Sequence, residues 1–533
     1  MRKKQPSHAT PGLVASLSMI FAIMSLMGIS ACGGGSSSSP TSGGGGNGGG
    51  GTSSSPACTF TAPSSGGNTT SVGTTAAIQN QFFGMDVNSP QAPWPFYSLN
   101  GAQPALPFGG LRLWASGVAW AQIDTAQGQP PDFTLMGQWL AKAQTNNVDV
   151  LYTLARTPSW ASQYPSDSTC STGNGECDPP LDLNLDGSGA DDYWIAWVSA
   201  VAQYSAAQKA SNLTGISYYE IWNEWNTSAY WNQTNGSTAQ LVRMEQDARC
   251  VVEGPPSGLS CNPNSVFPFG TALDPTAKIV SPSPVGGDID GLLDEVQISL
   301  NNYFSTKVNN YGGGSFSDDI GFHGYVGTAT GLSTTPVACP TAENVNTVIT
   351  DMSQALAAYP ASAGGKPLFD TEGGWSKATD EGFTDPDQQA AFLARYLLLQ
   401  ESSNIGRMYW FAWDSPNLAS LYDDATGQAS LAATAYADVN QWTVGATFSR
   451  ACSATGTVWS CALTRPNGYA AIVVWDAGLN CTSVSCPTTT SFTVPSNYTF
   501  YRNIGDAADT SLDGASTIQI GAQPILLETA LLP

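Results

Sequence analysis

Residues 218–226 read Tyr218-Tyr219-Glu220-Ile221-Trp222-Asn223-Glu224-Trp225-Asn226, and the fold prediction rests on this stretch. Its first half is aromatic and β-branched, which predicts a strand ending near residue 222. Glu224 follows, between two tryptophans and after an amide. Such surroundings desolvate a carboxyl group and favour its neutral form, as a general acid requires. A strand that ends in an acid is typical of barrel enzymes; the alternative is a buried strand whose glutamate satisfies a local network.

Eight predicted strands alternate with helices between residues 80 and 446. The strands cover residues 82–87, 110–114, 148–154, 216–222, 278–281, 320–325, 367–371 and 406–411. The helices between them cover residues 135–145, 193–208, 238–251, 291–304, 343–359 and 386–402, with apolar residues at i, i+3 and i+4. This alternation predicts an α/β fold, a (β/α)8 TIM barrel that spans residues 80–446.

The pattern changes after a last helix at residues 431–444. Short runs of alternating polarity, separated by turn residues, occupy residues 458–463, 470–475, 492–494, 498–503 and 518–520. These runs predict a C-terminal β-sandwich domain over residues 447–533. Residues 57–79 form a lead-in that can add a strand to this sandwich.

A second carboxylate, Glu372, follows the seventh predicted strand and precedes Gly373 and Gly374. Paired glycines let the backbone turn close to a ligand. Strands four and seven face each other across the mouth of an eight-stranded barrel, so Glu224 and Glu372 can flank one bond. Glycoside hydrolysis needs such a pair, one acid and one nucleophile. The alternative is a structural carboxylate at a strand end.

Six short motifs in order along residues 80–446 carry a family resemblance. They are Leu111-Arg112-Leu113-Trp114, Thr157-Pro158-Ser159-Trp160, Glu220-Ile221-Trp222-Asn223-Glu224, Phe322-His323-Gly324-Tyr325, Thr371-Glu372 and Trp410-Phe411-Ala412-Trp413. Each motif is weak by itself, whereas their order and spacing together are specific. The chain resembles the clan A glycoside hydrolases, most of all family 39, the β-xylosidase type, with family 5 as the nearest competitor.

The resemblance implies a retaining O-glycoside hydrolase that cleaves poly- or oligosaccharides through a covalent glycosyl-enzyme intermediate. In such enzymes the glutamate of the Asn-Glu pair is the acid/base and the strand-seven glutamate is the nucleophile. Glu224 is therefore the expected acid/base and Glu372 the expected nucleophile. Tyr325 and Arg112 are expected to hold Glu372 ionised, because a nearby donor and cation favour the charged form.

The same resemblance implies roles in sugar binding. Asn223 is expected to hydrogen-bond the hydroxyl next to the anomeric carbon, His323 to orient the site, and Trp413 to form the floor of a sugar subsite. The chain departs from many relatives at Trp225, where they carry proline after Asn-Glu. Other tryptophans near predicted strand ends either stack on sugars or belong to the core: Trp114, Trp120, Trp160, Trp231 and Trp375.

Composition narrows the classes of function. The formal net charge is −23, and charged residues make up 11% of the chain. Such a surface repels nucleic acid and anionic membranes. Tyr, Trp, Phe, Asn, Gln, Ser and Thr are plentiful and suit a neutral, hydroxyl-rich ligand, so carbohydrate is the expected partner. The two histidines, His8 and His323, cannot build a three-histidine zinc site, and neither a Gly-x-Ser-x-Gly motif nor a P-loop occurs. We expect the reaction to need no cofactor.

Residues 1–31 resemble a bacterial lipoprotein signal peptide, with a basic start at residues 2–4 and an apolar run at residues 13–29. Cleavage before Cys32 would make this residue the site of lipidation, and residues 32–56 form a Gly/Ser-rich tether. The alternative is an ordinary signal peptide with a chance cysteine. The expected location is the cell envelope, as an exported protein on a lipid anchor.

Ten further cysteines form an even set, which predicts five disulfides in an exported chain. Short separations predict Cys170–Cys177, Cys250–Cys261, Cys452–Cys461 and Cys481–Cys486, and elimination leaves Cys58 with Cys339.

Asp182, Asn184 and Asp186 resemble the start of a calcium loop. The alternative is an Asx-rich loop that caps the helix at residue 193. Two rival functions also stay open for the chain as a whole. One is a non-catalytic glycan-binding surface lipoprotein on a barrel scaffold, and the other is a transglycosylase, in which sugar replaces water as the acceptor.

Overall fold

The computed structural model describes residues 74, 76–286, 294–311, 314–326, 339–375, 383–415, 418–479 and 488–532. The predicted signal peptide, the tether and most of the lead-in lie outside these ranges, as do Cys32, Cys58, Cys481 and Cys486. Across the described ranges, no helix has both the length and the apolar character needed to cross a membrane.

Eight parallel strands form the predicted barrel, which is confirmed. They are β1 (Phe83–Asp86), β2 (Gly110–Leu113), β3 (Asp149–Leu154), β4 (Tyr218–Ile221), β5 (Lys278–Val280), β6 (Ile320–His323), β7 (Leu368–Gly373) and β8 (Ile405–Trp410). Their hydrogen-bonded order is β5-β4-β3-β2-β1-β8-β7-β6, and a parallel bridge between Val280 and Asp319 links β5 to the start of β6. Almost every strand position is buried, as expected for a parallel sheet covered by helices.

Helices follow most strands. They are α1 (Trp120–Ile123), α2 (Thr134–Thr145), α3 (Asp192–Ala210), α4 (Thr238–Val252), α5 (Asp294–Tyr311), α6 (Val345–Ala357), α7 (Pro386–Ser402) and α8 (Leu431–Thr443). Capping residues explain where two of these helices begin. At α4 the Ser237 side chain accepts a hydrogen bond from Gln240 N. At α7 the Asp385 side chain accepts from two backbone amides, and Pro386 lies in the first helical turn.

The C-terminal strands form two antiparallel sheets, as a sandwich requires. After a short hairpin, β9 (Tyr422–Asp423) and β10 (Gln428–Ala429), come β11 (Thr447–Thr455), β12 (Val458–Thr464), β13 (Ala470–Asp476), β14 (Thr490–Thr493), β15 (Phe500–Asn503), β16 (Thr510–Ser511), β17 (Thr517–Ile520) and β18 (Ile525–Glu528). Six strands pair in the order β11-β12-β13-β18-β15-β16, while β14 pairs with β17. Val474 and Leu527 of the large sheet share an apolar cluster with Ile520 of the small one.

The other face of the six-stranded sheet packs against the barrel. Trp475 belongs to the main core, and its Nε1 donates to Glu343 Oε1 at 2.9 Å. Residues 390–402 of α7 are all buried, because this helix has the barrel on one side and β11 on the other. Barrel and sandwich thus belong to one compact unit, and the division at residue 446 stays a prediction.

Three of the predicted disulfides are present: Cys170–Cys177, Cys250–Cys261 and Cys452–Cys461. Cys339 is also disulfide-bonded. Its expected partner, Cys58, and the expected pair Cys481–Cys486 lie outside the described residues.

Candidate active site

The turn after β4 carries Glu224. Two residues of this turn, Trp222 and Glu224, have φ angles of 62° and 41°, which non-glycine residues seldom adopt. Trp222 is held by its indole Nε1, which donates to Tyr230 O at 2.7 Å, while Asn223 forms a parallel bridge to Ser283. Such strained backbone costs on the order of 1–3 kcal/mol per residue and clusters at functional sites.

Glu372 lies near the end of β7, and both of its carboxylate oxygens accept hydrogen bonds. Arg112 Nη1 donates to Oε2 at 2.8 Å, and Tyr325 Oη donates to Oε1 at 2.7 Å. These contacts join β2 and β7 to the segment that follows β6, at the mouth of the barrel.

Glu224 and Glu372 come together with His323 between them. One side-chain atom from each of the three lies within 4.8 Å of the others. His323 Nδ1 is 2.9 Å from Glu224 Oε1 and 3.9 Å from Glu372 Oε2. The structure therefore brings together the two predicted carboxylates and the histidine predicted to orient them.

The electrostatic surroundings of the three groups differ. Burial raises the pKa of Glu224 to about 7, against the opposing effect of Arg112. Burial also lowers the pKa of His323 to about 4, so its imidazole is neutral at ordinary pH. Burial and the nearby carboxylates raise the pKa of the Tyr325 hydroxyl, which therefore stays a hydrogen-bond donor.

Arg112 is fully buried and donates hydrogen bonds to four side chains of the site, one of which is Glu372. Its Nε donates to Glu220 Oε2 at 2.9 Å, Nη1 to Asp86 Oδ1 at 3.3 Å, and Nη2 to Asn223 Oδ1 at 2.8 Å. Burial acts to raise the pKa of Glu220, but Arg112 and two hydroxyl donors hold it below its usual value. Burial dominates at Asp86 and raises its pKa well above the usual value.

Several residues of this network were not predicted as site residues. They are Asp86, Thr153, Glu220, Tyr230 and Ser283. Thr153 and Ser283 both donate to Glu220 at 2.6 Å. Tyr230 lies close enough to Glu224 and Glu372 for both to raise its pKa further, after burial. Glu220 could have been found from the sequence, because a charged residue inside an apolar strand needs a buried partner.

Three buried polar atoms of the site have no hydrogen-bond partner among the described residues: Asn223 Nδ2, His323 Nε2 and Asp86 Oδ2. A buried donor or acceptor left unpaired costs about 1–3 kcal/mol. A ligand rich in hydroxyl groups can pair such atoms.

The predicted tryptophans occupy different environments. Trp413 is fully buried, stacks on Tyr422 and donates to Pro93 O at 3.0 Å, so its ring has no open face here, and its role as a subsite floor stays a prediction. Trp375 is a core residue packed on Trp410. Trp114 is 7% exposed and packs on Tyr230.

Trp160 is half-buried, and its indole Nε1 donates to Asp124 O at 2.8 Å. Of the other two, Trp120 and Trp231 are both core residues. Trp160 therefore keeps more exposed ring surface than the buried members of the predicted set.

The predicted calcium loop has a different internal arrangement. Asn184 and Asp186 are exposed, and both hydrogen-bond to Ser188. Asp182 Oδ2 accepts from Asp192 N at 2.6 Å and so caps the start of α3. This contact is the capping role that the alternative reading predicts.

Comparisons with known proteins support the fold. No protein-family model matches the chain, and no curated protein matches it. A family 39 glycoside hydrolase from the gut symbiont Bacteroides cellulosilyticus WH2 superimposes with a TM-score of 0.51 and 14% identity over 79% of this chain and 75% of that one. The structural likeness to clan A glycoside hydrolases is thus confirmed at the level of the fold.

Two further solved structures have slightly lower scores. A family 39 β-xylosidase from Caulobacter crescentus has a TM-score of 0.49 and 15% identity over 80% of this chain and 90% of that one. A family 30 endoxylanase from Clostridium papyrosolvens C71 has a TM-score of 0.49 and 15% identity over 86% and 97% of the two chains.

Proposed function

We propose that the chain is a retaining glycoside hydrolase, with Glu224 as acid/base and Glu372 as nucleophile. The observation that carries the proposal is the approach of the two carboxyl groups, whose nearest atoms lie within 4.8 Å. Retaining enzymes hold their carboxyl groups about 5–5.5 Å apart, whereas inverting enzymes need about 6.5–9.5 Å to admit a water. The short separation therefore favours direct attack by a carboxylate.

The two carboxyl groups have the surroundings that their roles require. Burial raises the pKa of Glu224 to about 7, so this group keeps a proton that it can give to the leaving oxygen. Glu372 accepts from Arg112 and Tyr325 through separate oxygens, an arrangement that suits a carboxylate nucleophile.

The reaction then proceeds in two displacements. Glu372 attacks the anomeric carbon while Glu224 protonates the glycosidic oxygen, the carbon–oxygen bond breaks, and the leaving sugar departs. Glu224, now a carboxylate, takes a proton from water, and the resulting oxygen attacks the anomeric carbon and releases Glu372. Only side chains and water take part.

Asn223 is the proposed contact to the sugar hydroxyl beside the anomeric carbon. Its Oδ1 is occupied by Arg112, which fixes the orientation of the amide, and Nδ2 remains without a partner. A donor that strengthens its bond in the transition state adds to the rate rather than only to binding.

A screen of the purified protein against aryl glycosides and polysaccharides tests the proposal. We expect turnover of at least one aryl glycoside, with proton NMR showing that the product first released keeps the anomeric configuration. Release with inversion contradicts the retaining mechanism. A lack of turnover across the panel, with glycan binding intact, favours the glycan-binding lipoprotein instead.

Glu372→Gln is the variant that separates catalysis from binding in this screen. It should abolish turnover while leaving substrate affinity within a few-fold, since the amide keeps the shape of the side chain. Glu176→Gln is a matched control, because Glu176 pairs with Arg156 in a loop outside the carboxyl pair. Products longer than the substrate at high substrate concentration would identify a transglycosylase.

The proposed cellular location rests on the sequence. Export with lipidation at Cys32 would hold the enzyme at the cell envelope, where the tether gives it access to polymeric carbohydrate. The net charge of −23 argues against direct adsorption to an anionic lipid surface, so the lipid anchor would supply the membrane attachment.

A further inference from the structure

A second group of buried carboxyl groups lies outside the proposed active site. Asp191 precedes α3, Asp247 lies on α4, and Asp182 lies in the loop that leads to α3. Asp191 and Asp247 are both fully buried. The loop before α3 contacts α4 through Leu183 O and Gly187 O, and this packing places Asp191 against Asp247, while Asp182 acts on Asp191 through its charge.

The carboxylate oxygens of this group lack the donors that buried carboxylates require. Apart from the facing carboxyl groups themselves, no hydrogen-bond donor of the described residues reaches either oxygen of Asp191, Oδ1 of Asp247 or Oδ1 of Asp182. Asp191 and Asp247 face each other closely enough to interact directly, and Asp182 adds a further negative charge. An uncompensated buried charge is strongly unfavourable.

The neighbouring side chains compensate only a part of this charge. Arg243 Nη1 is 4.0 Å from Asp247 Oδ1, and the same guanidinium also donates to Gly187 O and to Gln246. Asn262 Nδ2 donates to Asp247 Oδ2 at 3.1 Å. Among the described residues, these two side chains and the backbone amide of Asp192, which donates to Asp182, thus face three carboxyl groups, and the Asp192 side chain adds another carboxyl nearby.

Two chemical states can satisfy such a group: a proton shared between the facing carboxyls, or a bound cation. Asp191 accepts from no N–H or hydroxyl donor of the described residues and contacts only the facing carboxyl of Asp247, so its oxygens can turn to a cation in the bidentate mode common at calcium. The group offers oxygen atoms and no nitrogen or sulfur ligand, which selects hard cations over zinc or copper. The carbonyl oxygens of Gly189 and Ala190 lie beside it, both accepting from Asn262.

We propose that Asp191 and Asp247 bind a calcium ion, with Asp182 contributing charge and backbone or water oxygens completing the coordination. The site differs from the one that the loop motif predicts, because Asn184 and Asp186 are exposed and bonded to Ser188. The ion joins the loop before α3 to α4 and, through Asn262, to the segment behind the Cys250–Cys261 disulfide. Its function is to stabilise this side of the barrel.

Calcium binding can be measured on the full-length purified protein without any assay of catalysis. Protein stripped with EGTA and returned to chelator-free buffer is titrated with calcium chloride by calorimetry, and its Tm is measured with calcium and with EGTA. We expect one ion per chain and a higher Tm in calcium, because a ligand that binds only the folded state stabilises it. Magnesium should bind more weakly, since it demands near-ideal octahedral geometry.

Three isosteric variants locate the ion. Asp191→Asn and Asp247→Asn should each weaken calcium binding by at least the roughly 10–100-fold that loss of an outer-shell partner causes. Asp186→Asn is the matched control, with one motif aspartate neutralised on the exposed loop, and it should bind calcium as the unmodified chain does.

Each other outcome overturns the proposal. If the unmodified chain neither binds calcium nor changes its Tm in EGTA, the facing carboxyls share a proton instead. If Asp186→Asn loses calcium binding while Asp191→Asn keeps it, the ion lies on the exposed loop. The titration of the unmodified chain decides whether calcium binds at all, even if a variant fails to fold.

Discussion

Arg112 Nη1 lies 2.8 Å from Glu372 Oε2, and this contact ties the proposed nucleophile to the interior of the barrel. The same guanidinium also pairs with Glu220, so β2, β4 and β7 are joined by one planar cation. A lysine has a single charged nitrogen and cannot serve these partners in the same geometry.

We therefore expect Arg112→Lys to lower kcat/KM by about 10–100-fold, which corresponds to one hydrogen bond between charged groups at about 1.5–3 kcal/mol. Arg407→Lys is the matched control. Arg407 is also buried and pairs with both oxygens of Asp149 at 2.7 Å, where β3 and β8 begin, at the opposite end of the barrel. The control should lower stability to denaturant but leave kcat/KM nearly unchanged; equal loss of activity in both would contradict a role in the site.

The variants Glu372→Ala and Glu224→Ala should lose different steps of the reaction. Glu372→Ala removes the nucleophile, so hydrolysis nearly vanishes, whereas Glu224→Ala still forms the glycosyl-enzyme from substrates with good leaving groups. Azide needs no deprotonation and should rescue both. The azide product should have retained configuration with Glu224→Ala and inverted configuration with Glu372→Ala, as read by proton NMR. Inverted products from both variants would show that the roles are assigned wrongly.

The pH profile should report the carboxyl of Glu224. Burial raises its pKa to about 7, so the protonated acid prevails below that pH and is lost above it. For substrates with poor leaving groups, kcat/KM should fall about tenfold per pH unit above pH 7. His323 does not produce this limb, because burial lowers its pKa to about 4.

Glu224→Gln supplies the control for the pH profile. On the substrate with a poor leaving group, the variant should lose most of the rate, and the rate that remains should lack the alkaline limb. On a dinitrophenyl glycoside, which needs little protonation of its leaving group, the first displacement should lack this limb in both the unmodified chain and the variant. Persistence of the limb with the same midpoint would assign it to a different residue.

The disulfide between Cys452 and Cys461 closes the hairpin of β11 and β12, with a sequence separation of 9. Closing a loop of this size stabilises the fold by about 2–3 kcal/mol in the chain-entropy model. The double variant Cys452→Ser/Cys461→Ser should lose about that much free energy of unfolding in a denaturant titration. Peptide mapping without reduction should recover the link; a free thiol at either position argues against it.

Cys32 is the predicted lipid attachment site. Cys32→Ala should release the protein from the membrane fraction of its producing cell, because the variant lacks the thiol that would carry the lipid. The supernatant and membrane fractions are compared by immunoblot. Retention of the variant in the membrane fraction would contradict lipid attachment at Cys32.

The barrel could be predicted because parallel strands are buried on both faces and appear as short apolar runs between amphipathic helices. β11 was missed because bulges interrupt its register, between Phe448 and Arg450 and again before Ser453, and so break the alternation of polarity. β18 was missed because all four of its residues are buried, which removes the alternation that marks an antiparallel strand.

The candidate site was predictable at its strand ends and less so beneath them. Glu224 and Glu372 stand next to recognisable turns, whereas Asp86 and Ser283 meet Arg112 and Glu220 through the pairing register of neighbouring parallel segments, which the sequence alone does not specify. The calcium motif drew attention to Asn184 and Asp186 because spacing is visible in a sequence, while the burial of Asp191 is not.

The burial of α7 between barrel and sheet bears on how such a protein can evolve. Cys452 of β11 reaches Leu398 O on α7 at 3.5 Å, and the apolar core runs without a break from Leu398 into Trp475. Recombination that replaced the C-terminal strands with a foreign module would leave this helix exposed to water. We therefore expect the two parts to be retained together, with substitutions on one side of that contact constrained by the packing on the other.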